Sequence, residues 1–285
     1  MLLSCHQKGT DNITEYISQE FGNGVAVVCD TAIILFMICV YSVMVAGAGE
    51  LAYDLIGINS IFAMLVFNLL CVAVVTLPID KLISVCGMLG LGLAVFIVVF
   101  SLRSAMDRGI ETFKIIDNWA ISAVSYSGYN ILSCVCIICP MSTFMKSRKE
   151  LITASVISGI LVFVILICMW GAIGIYYGKI DLGIFPMLTL VKRQGKLAYI
   201  LYIVIMFAAV FTTAVSNSYG VYKAFLRISS RKIAVITIFL LSSVISYIGF
   251  DILVNTVYRL CGFIGIVLPI MLLKKNAGVR KEKRR

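Results

Sequence analysis

The sequence predicts an all-α polytopic membrane protein with about eight transmembrane helices. Of its 285 residues, 61% are hydrophobic and 13% are charged, whereas about 25% of the residues of a soluble domain are charged. The apolar residues form runs of about 18–27, long enough to cross a bilayer core of about 30 Å as a helix. Because a backbone in lipid must satisfy its own hydrogen bonds, these runs are predicted to be helical, and the alternation of a barrel is absent.

Eight spans can be placed between short polar segments. They run near residues 24–48, 58–77, 80–101, 119–143, 151–177, 196–225, 232–249 and 251–273. Residues 24–273 are therefore predicted to form a transmembrane helical domain, followed by a basic tail at 274–285. Residues 1–23 are polar and amphipathic, with Tyr16, Ile17 and Phe21 on one side, which predicts a segment at the cytoplasmic surface or packed under the bundle.

The distribution of lysine and arginine predicts that both termini lie in the cytoplasm. With residue 1 placed inside, the inside segments hold sixteen of these residues and the outside segments hold seven, as the positive-inside rule requires. The basic tail directly follows an apolar helix. It is therefore interpreted as an anchor at anionic lipid rather than as a nucleic-acid site.

Two of the outer connections are longer than turns. Residues 102–118 have the pattern of an amphipathic interfacial helix. Residues 178–195 contain an apolar patch around Pro186, which predicts a short helix folded back over an external vestibule.

The middle of the fourth span is unusually polar. It contains Ser125, Tyr126, Ser127, Gly128, Tyr129 and Asn130 in succession. Two structures fit this pattern. A broken helix would line a cavity and offer free backbone groups to a solute or ion, whereas a continuous helix would pack through its small residues. The broken helix is the favoured interpretation, and these six residues are the candidate substrate-binding residues.

The sixth span contains two adjacent threonines, Thr212 and Thr213. Their hydroxyl groups could provide oxygen ligands to Na⁺, together with backbone carbonyls. Threonine in a helix also bonds to the carbonyls of its own preceding turn, and the residues alone favour that second interpretation.

Three ionisable residues lie within or near the predicted spans: Asp30 in the first, Arg259 in the last and Glu50 at the outer end of the first. Intramembrane charges are costly and usually face a cavity or a partner. The positions of Asp30 and Arg259 along their spans predict different depths, so we do not expect these two to pair. Proton coupling and simple extension toward the membrane surface explain Asp30 equally well.

No set of residues in the sequence predicts an enzyme. The single histidine, His6, lies outside the spans, and no phosphate-binding loop, dinucleotide fingerprint or spaced metal-ligand motif is present. Nearly all of the ten cysteines lie in apolar runs, where cysteine behaves as a small hydrophobic residue. No organic cofactor is expected, and Na⁺ is the one candidate ion.

Two segments resemble a known group of proteins. Residues 41–50 with 55–57 are similar to the third helix of the YkvI family of bacterial membrane proteins, and residues 126–130 are similar to its sixth helix. That family in turn resembles the amino acid–polyamine–organocation transporters, which have the LeuT-type fold. This fold consists of two inverted repeats with broken helices at the membrane midplane, and LeuT is the standard example of it.

The resemblance implies a role for several residues. The eight spans would correspond to helices three to ten, the fourth span to the broken sixth helix, and residues 178–195 to the external capping loop. Thr212 and Thr213 would fall where LeuT-like proteins bind sodium, with the Ala209 carbonyl as a further donor. The family's glycine-rich first helix and its second helix have no counterpart in this sequence. A misplaced start, a truncation and a reduced but working bundle are each consistent with that difference.

Together these observations predict a secondary transporter, or a remnant of one, for a small, amino-acid-like organic solute coupled to Na⁺ or H⁺. The alternative is a membrane protein that does not transport but binds, senses or assists assembly. The expected location is the bacterial plasma membrane, and the expected partners are the lipid bilayer and the solute. No nucleic acid is expected, and the sequence leaves the oligomeric state open.

Overall fold

The computed structural model describes residues 13–77, 79–106, 119–144, 147–183, 185–263, 265–267 and 270–271, and these residues contain helices and connections but no strand. The helices are α1 (Ile13–Phe21), α2 (Asn23–Ile56), α3 (Ser60–Val75), α4 (Ile79–Met106), α5 (Trp119–Phe144), α6 (Arg148–Tyr176), α7 (Pro186–Lys192), α8 (Lys196–Phe225), α9 (Arg231–Ser246) and α10 (Phe250–Leu253). After α10 the chain continues through a π-helical segment, Val254–Tyr258, into further helix at residues 259–263 and 265–267, and the name α10 is used below for the whole stretch Phe250–Val267. Each of the eight predicted spans falls on a helix, and the all-α polytopic fold is confirmed.

Five helical stretches in the described part of the chain are long and apolar enough to cross a membrane. They are Asn23–Ile56, Gly87–Ser104, Arg148–Tyr176, Lys196–Phe225 and Phe250–Val267. Ser60–Val75 is apolar but shorter. The protein is therefore a multi-pass membrane protein by length and composition, and the number of eight spans stays a prediction.

The longest helix, α2, forms the centre of the bundle and packs against α1, α3, α8 and α9. Its predicted end at residue 48 is wrong. Gly47 and Gly49 do not end the helix but make room for neighbours: a Cβ added at Gly47 would lie 2.9 Å from the Phe250 ring. The helix ends at Gly57 instead, where a left-handed backbone with φ of 67° lets the Gly57 N–H donate to the Tyr53 carbonyl at 3.0 Å.

The N-terminal segment packs against the bundle. In α1 the Ile17 side chain is fully buried in the core around α2, while Glu15 on the other face is exposed. Phe21 also packs against that core. The structure therefore shows the packed arrangement of the two that the sequence allowed. The Tyr16 side chain and residues 1–12 lie outside the described residues.

A second apolar core lies around the short helix α7. Pro186 occupies the first turn, where its missing N–H costs nothing. Met187, Leu190 and Val191 are buried and pack against α4, α6 and α8. A short helix in the 178–195 connection is thus confirmed. Ile184, one residue of its predicted apolar patch, lies outside the described residues.

The first five residues of the predicted interfacial helix at 102–118 belong to α4 instead. Residues 102–106 continue α4, which ends at Met106 rather than near residue 101. Residues 107–118 lie outside the described residues, and so does the basic tail at 274–285.

Candidate functional site

The polar middle of α5 is a continuous helix, so the predicted break is wrong. Two polar side chains bond within the helix itself: Ser127 Oγ donates to the Ala123 carbonyl at 2.8 Å, and Asn130 Nδ2 donates to the Tyr126 carbonyl at 2.8 Å. Since these side chains find acceptors one turn back, they do not force the backbone to open. The free backbone groups that the broken helix would have offered are therefore not present.

The same stretch forms a close contact with α10. A Cβ added at Gly128 would overlap the Gly262 carbonyl, and one added at Gly265 would overlap the Gly128 carbonyl. Ser125 faces Gly262 in the same way. Residue numbers rise together on the two helices, so α5 and α10 run parallel. Small residues allow the two backbones to touch, as is common between membrane helices.

Ser125 joins α5 to the end of the π-helical segment. Its buried hydroxyl lies 3.3 Å from the carbonyl oxygen of Tyr258 and 3.3 Å from that of Arg259, and it can donate to either. Wider π-helical turns disturb the regular bonding of a helix and are frequent at functional sites. The hydroxyl of one helix thus meets the other helix where its backbone is irregular.

Three tyrosines surround this junction. The rings of Tyr129 and Tyr258 are stacked, with centroids 4.4 Å apart and an interplanar angle of 18°. Tyr126 meets Tyr129 edge to face at 5.2 Å and 79°. Tyr126 is 47% exposed, so one side of the group is open. We call Ser125, Tyr126, Tyr129 and Tyr258 the tyrosine cluster.

Arg259 directly follows the tyrosine cluster on α10 and is exposed. No carboxylate among the described residues lies within 4.0 Å of its guanidinium group. Phe250 at the start of α10 contacts Gly47, and Arg259 lies nine residues, or about 13 Å, further along that helix. In the predicted topology α2 and α10 run in opposite directions, so Arg259 is level with the middle of α2. An arginine at the centre of a membrane span costs about 2.5–3.5 kcal/mol on insertion scales.

Asp30 lies elsewhere in the bundle. Its carboxylate pairs with the Arg227 guanidinium at 3.0 Å, at the end of the bundle where α2 begins and α8 ends. Asp30 lies 17 residues, or about 25 Å, along α2 from Gly47, whereas Arg259 lies nine residues, or about 13 Å, from Phe250, which contacts Gly47. Asp30 and Arg259 therefore lie at different levels.

The candidate sodium residues form bonds within α8. Thr212 Oγ1 donates to the Ala209 carbonyl at 3.0 Å, and the Thr213 carbonyl accepts from Asn217 Nδ2 at 2.8 Å. These bonds match the interpretation that the residues alone favoured. One observation suits a cation: the Asn217 Oδ1 atom is buried with no hydrogen-bond partner in the described part of the chain. No hydrogen bond among the described residues joins this group to the tyrosine cluster.

A buried polar cluster around Asn68 was not predicted. Asn68 Nδ2 donates to Ser242 Oγ at 2.9 Å and to Ser243 Oγ at 2.8 Å, and the Tyr41 hydroxyl donates to Asn68 Oδ1. These residues join α2, α3 and α9. An asparagine in the middle of sixteen mostly apolar residues was a usable signal, since it needs partners in lipid.

An apolar groove of about 450 Å³ lies between α2, α3 and α8. Its walls include Phe62, Val66, Phe207 and Phe211, and it contains no residue of the tyrosine cluster. Its chemistry suits lipid rather than a polar solute.

Taken together, these features define a multi-pass, all-helical membrane protein with a polar aromatic site between two parallel helices. No known protein family matches the chain. The chain is similar to the uncharacterized membrane protein YkvI of Bacillus subtilis (strain 168), with 24% identity over 279 residues that cover 92% of this chain and 77% of the relative. This similarity supports the predicted resemblance to YkvI.

Proposed function

We propose that this protein is a secondary transporter for a small, amino-acid-like organic solute, driven by a gradient of Na⁺ or H⁺. The solute would bind at the tyrosine cluster, on the side left open by Tyr126. The membrane location is supported by the apolar helices and by the relative's printed description as a membrane protein.

The observation that carries the proposal is the stacked pair Tyr129–Tyr258 at the π-helical segment. Polar groups in the middle of membrane helices are retained where they face a cavity or a partner. Here a hydroxyl and three aromatic rings meet between two touching helices, and Arg259, whose side chain is exposed, directly follows Tyr258. Aromatic faces suit the apolar part of a small solute, and the hydroxyl and guanidinium groups suit its polar part.

The packing of the helices supports a movement of α5. This helix packs against α1, α8 and the π-helical segment, whereas α2, α3 and α9 are joined by the buried cluster around Asn68. Alternating access requires one group of helices to rock against another around the site. We assign the fixed group to α2, α3 and α9 and the moving group to α5 with the part of α10 that touches it.

Coupling to Na⁺ would use α8. Thr212, Thr213 and the Ala209 carbonyl provide oxygen atoms on one helix, and the unpaired Asn217 Oδ1 adds an acceptor. Oxygen atoms of this kind are suitable ligands for a hard cation. A proton gradient is the other source of energy that we propose.

A second function, binding or sensing without transport, is favoured by one observation. The transporter resemblance implied a broken helix at residues 125–130, and α5 is continuous there. A rigid site between two helices can bind a solute without carrying it across the membrane.

Uptake into liposomes tests the proposal. The purified protein is reconstituted, a Na⁺ or H⁺ gradient is imposed, and uptake of radiolabelled amino acids, organic acids and amines is measured. Tyr126→Ala is expected to lower uptake by about ten-fold, the equivalent of a lost aromatic contact of about 1.4 kcal/mol. The matched control is Tyr247→Ala, since Tyr247 is 71% exposed and is not part of the cluster.

Two results would contradict transport at this site. Absence of uptake for every solute with a folded protein would favour the binding or sensing function. Equal uptake by the Tyr126→Ala variant and the unchanged protein would remove the tyrosine cluster from the solute site.

A further inference from the structure

We propose that Arg259 binds a carboxylate, so that the solute of this site is an organic anion or zwitterion with an apolar or aromatic body. This inference rests on the proposed solute site and names its class of ligand. Its first support is that Arg259 is exposed and has no carboxylate partner among the described residues.

Several other basic side chains on α7, α8 and α9, or directly beside them, have partners, whereas Lys196 and Lys232, in the first turns of α8 and α9, have none among the described residues. Arg227 pairs with Asp30, Arg231 Nε donates to the Tyr222 hydroxyl at 2.9 Å, and Arg193 lies 5.6 Å from the centroid of the Tyr176 ring. Lys192 and Lys223 also lie over tyrosine rings, at 5.7 and 5.6 Å. Arg259 has neither an ion pair nor a ring partner in the described part of the chain, and unlike Lys196 and Lys232 it lies in the interior of an apolar stretch, Phe250–Val267.

The level of Arg259 in the bundle argues against a lipid headgroup as its partner. In the predicted span 251–273, Arg259 lies eight residues, or about 12 Å along the helix, from the nearer end. An arginine side chain is shorter than that distance. A solute that enters the site can bring an anion to this level.

The chemistry of the groups defines the ligand. A guanidinium group keeps its charge and presents paired N–H donors that match the two oxygens of a carboxylate. The rings of Tyr126 and Tyr129 follow Ser125 on α5, whose hydroxyl lies 3.3 Å from the Arg259 carbonyl, and they provide apolar surface. A small molecule that carries a carboxylate on a flat or apolar body satisfies both.

Chemical labelling of the full chain in lipid nanodiscs tests this directly. Phenylglyoxal modifies accessible arginines, and mass spectrometry of peptides reports Arg259 separately from the others. Acetate, benzoate, phenylacetate and L-phenylalanine serve as carboxylate probes, benzamide as the neutral match of benzoate, and inorganic phosphate as the headgroup chemistry. Arg227, held by Asp30, is the internal control.

We expect at least one carboxylate to slow labelling of Arg259 several-fold, with no effect of benzamide and no change at Arg227. In calorimetry, Arg259→Gln should weaken binding of that carboxylate by about 10- to 100-fold, because one charge-assisted partner is lost. The affinity of Arg259→Lys for that carboxylate should lie between the affinities of the unchanged protein and of Arg259→Gln. The labelling experiment on the unchanged protein tests whether a carboxylate binds at Arg259 even if a variant fails to fold.

Three results would overturn the assignment: no labelling of Arg259, labelling that no carboxylate slows, or protection by phosphate as strong as by the best carboxylate. Uptake measurements separate this failure from that of the transporter. Gradient-driven uptake of a solute without a carboxylate would sink the assignment and leave transport standing. Protection of Arg259 by a carboxylate without uptake of any solute would support the assignment and contradict transport.

Discussion

The amide nitrogen of Asn68 on α3 donates to the hydroxyl oxygen of Ser242 on α9 at 2.9 Å, and both side chains are fully buried. The Tyr41 hydroxyl on α2 donates to the same amide. The consecutive helices α2 and α3 are thus joined to α9, which lies 174 residues further along the chain at this contact, by polar groups inside an apolar bundle. In lipid the alternative for each of these groups is an unpaired donor or acceptor.

Asn68→Leu should therefore lower the stability of the bundle. The change leaves the Tyr41 and Ser242 hydroxyls with fewer partners, and the expected loss is about 1–3 kcal/mol in the free energy of unfolding. Unfolding in detergent micelles measures it. The control is Leu69→Ala, since Leu69 is the next residue and is 62% exposed. An equal effect of the two changes would show that the cluster adds little stability.

Gly128→Ala should separate α5 from α10. The added methyl group would overlap the Gly262 carbonyl, which is backbone and cannot rotate away. The expected cost is about 1–3 kcal/mol, with loss of solute binding. The matched control is Gly159→Ala in α6, where nothing lies within 4 Å of an added Cβ. That control should be neutral or stabilising by up to about 1 kcal/mol. Thermal unfolding of both variants tests the contact: a lower Tm for Gly128→Ala alone indicates steric overlap with α10, whereas equal changes would reflect only the helix propensity of alanine.

The Asp30–Arg227 pair should contribute little and depend on salt. The two side chains are 20% and 43% exposed, and pairs of this kind couple by about 0.2–1 kcal/mol. A double-mutant cycle with Asp30→Asn and Arg227→Gln measures the coupling, which should fall as ionic strength rises. If Asp30→Asn abolished proton-driven uptake while stability stayed unchanged, Asp30 would be a coupling residue instead.

Sodium should stabilise the protein if α8 binds it. At a concentration 100 times the Kd, Na⁺ would add about 2.7 kcal/mol, visible as a higher Tm in NaCl than in KCl. Thr213→Val should remove this difference. Thr31→Val is the control, because Thr31 Oγ1 donates to the Val27 carbonyl at 2.9 Å in the same helical manner but lies on α2. A Tm that is equal in both salts would remove Na⁺ from the proposed mechanism.

Long apolar runs made the helices predictable, and α8 begins and ends where the sequence places it. The end of α2 was misplaced because a glycine that ends a helix and a glycine that admits a neighbour look alike in sequence. Gly47 admits Phe250, about two hundred residues away in the chain. Only the neighbour distinguishes the two cases.

The site was predicted in part. The polar residues of α5 were identified, but their effect on the backbone was not, because Ser127 and Asn130 find acceptors within their own helix. No sequence pattern predicted the π-helical segment that contains Tyr258. The groups that accept from the Asn68 amide nitrogen lie 171–175 residues away, and Tyr41 lies 27 residues away, so no local pattern could identify these partners.

The contact between α5 and α10 has a consequence for biosynthesis. Trp119 begins α5 and Phe250 begins α10, and at a synthesis rate of about 5–20 residues per second the second helix follows the first after roughly 10 s. During that interval Gly128 and Tyr129 lie in the membrane without the helix that packs against them. The site is thus completed only by a helix that begins about 130 residues after the start of α5. A nascent chain halted before residue 258 would contain every α5 residue of the site but not the complete site.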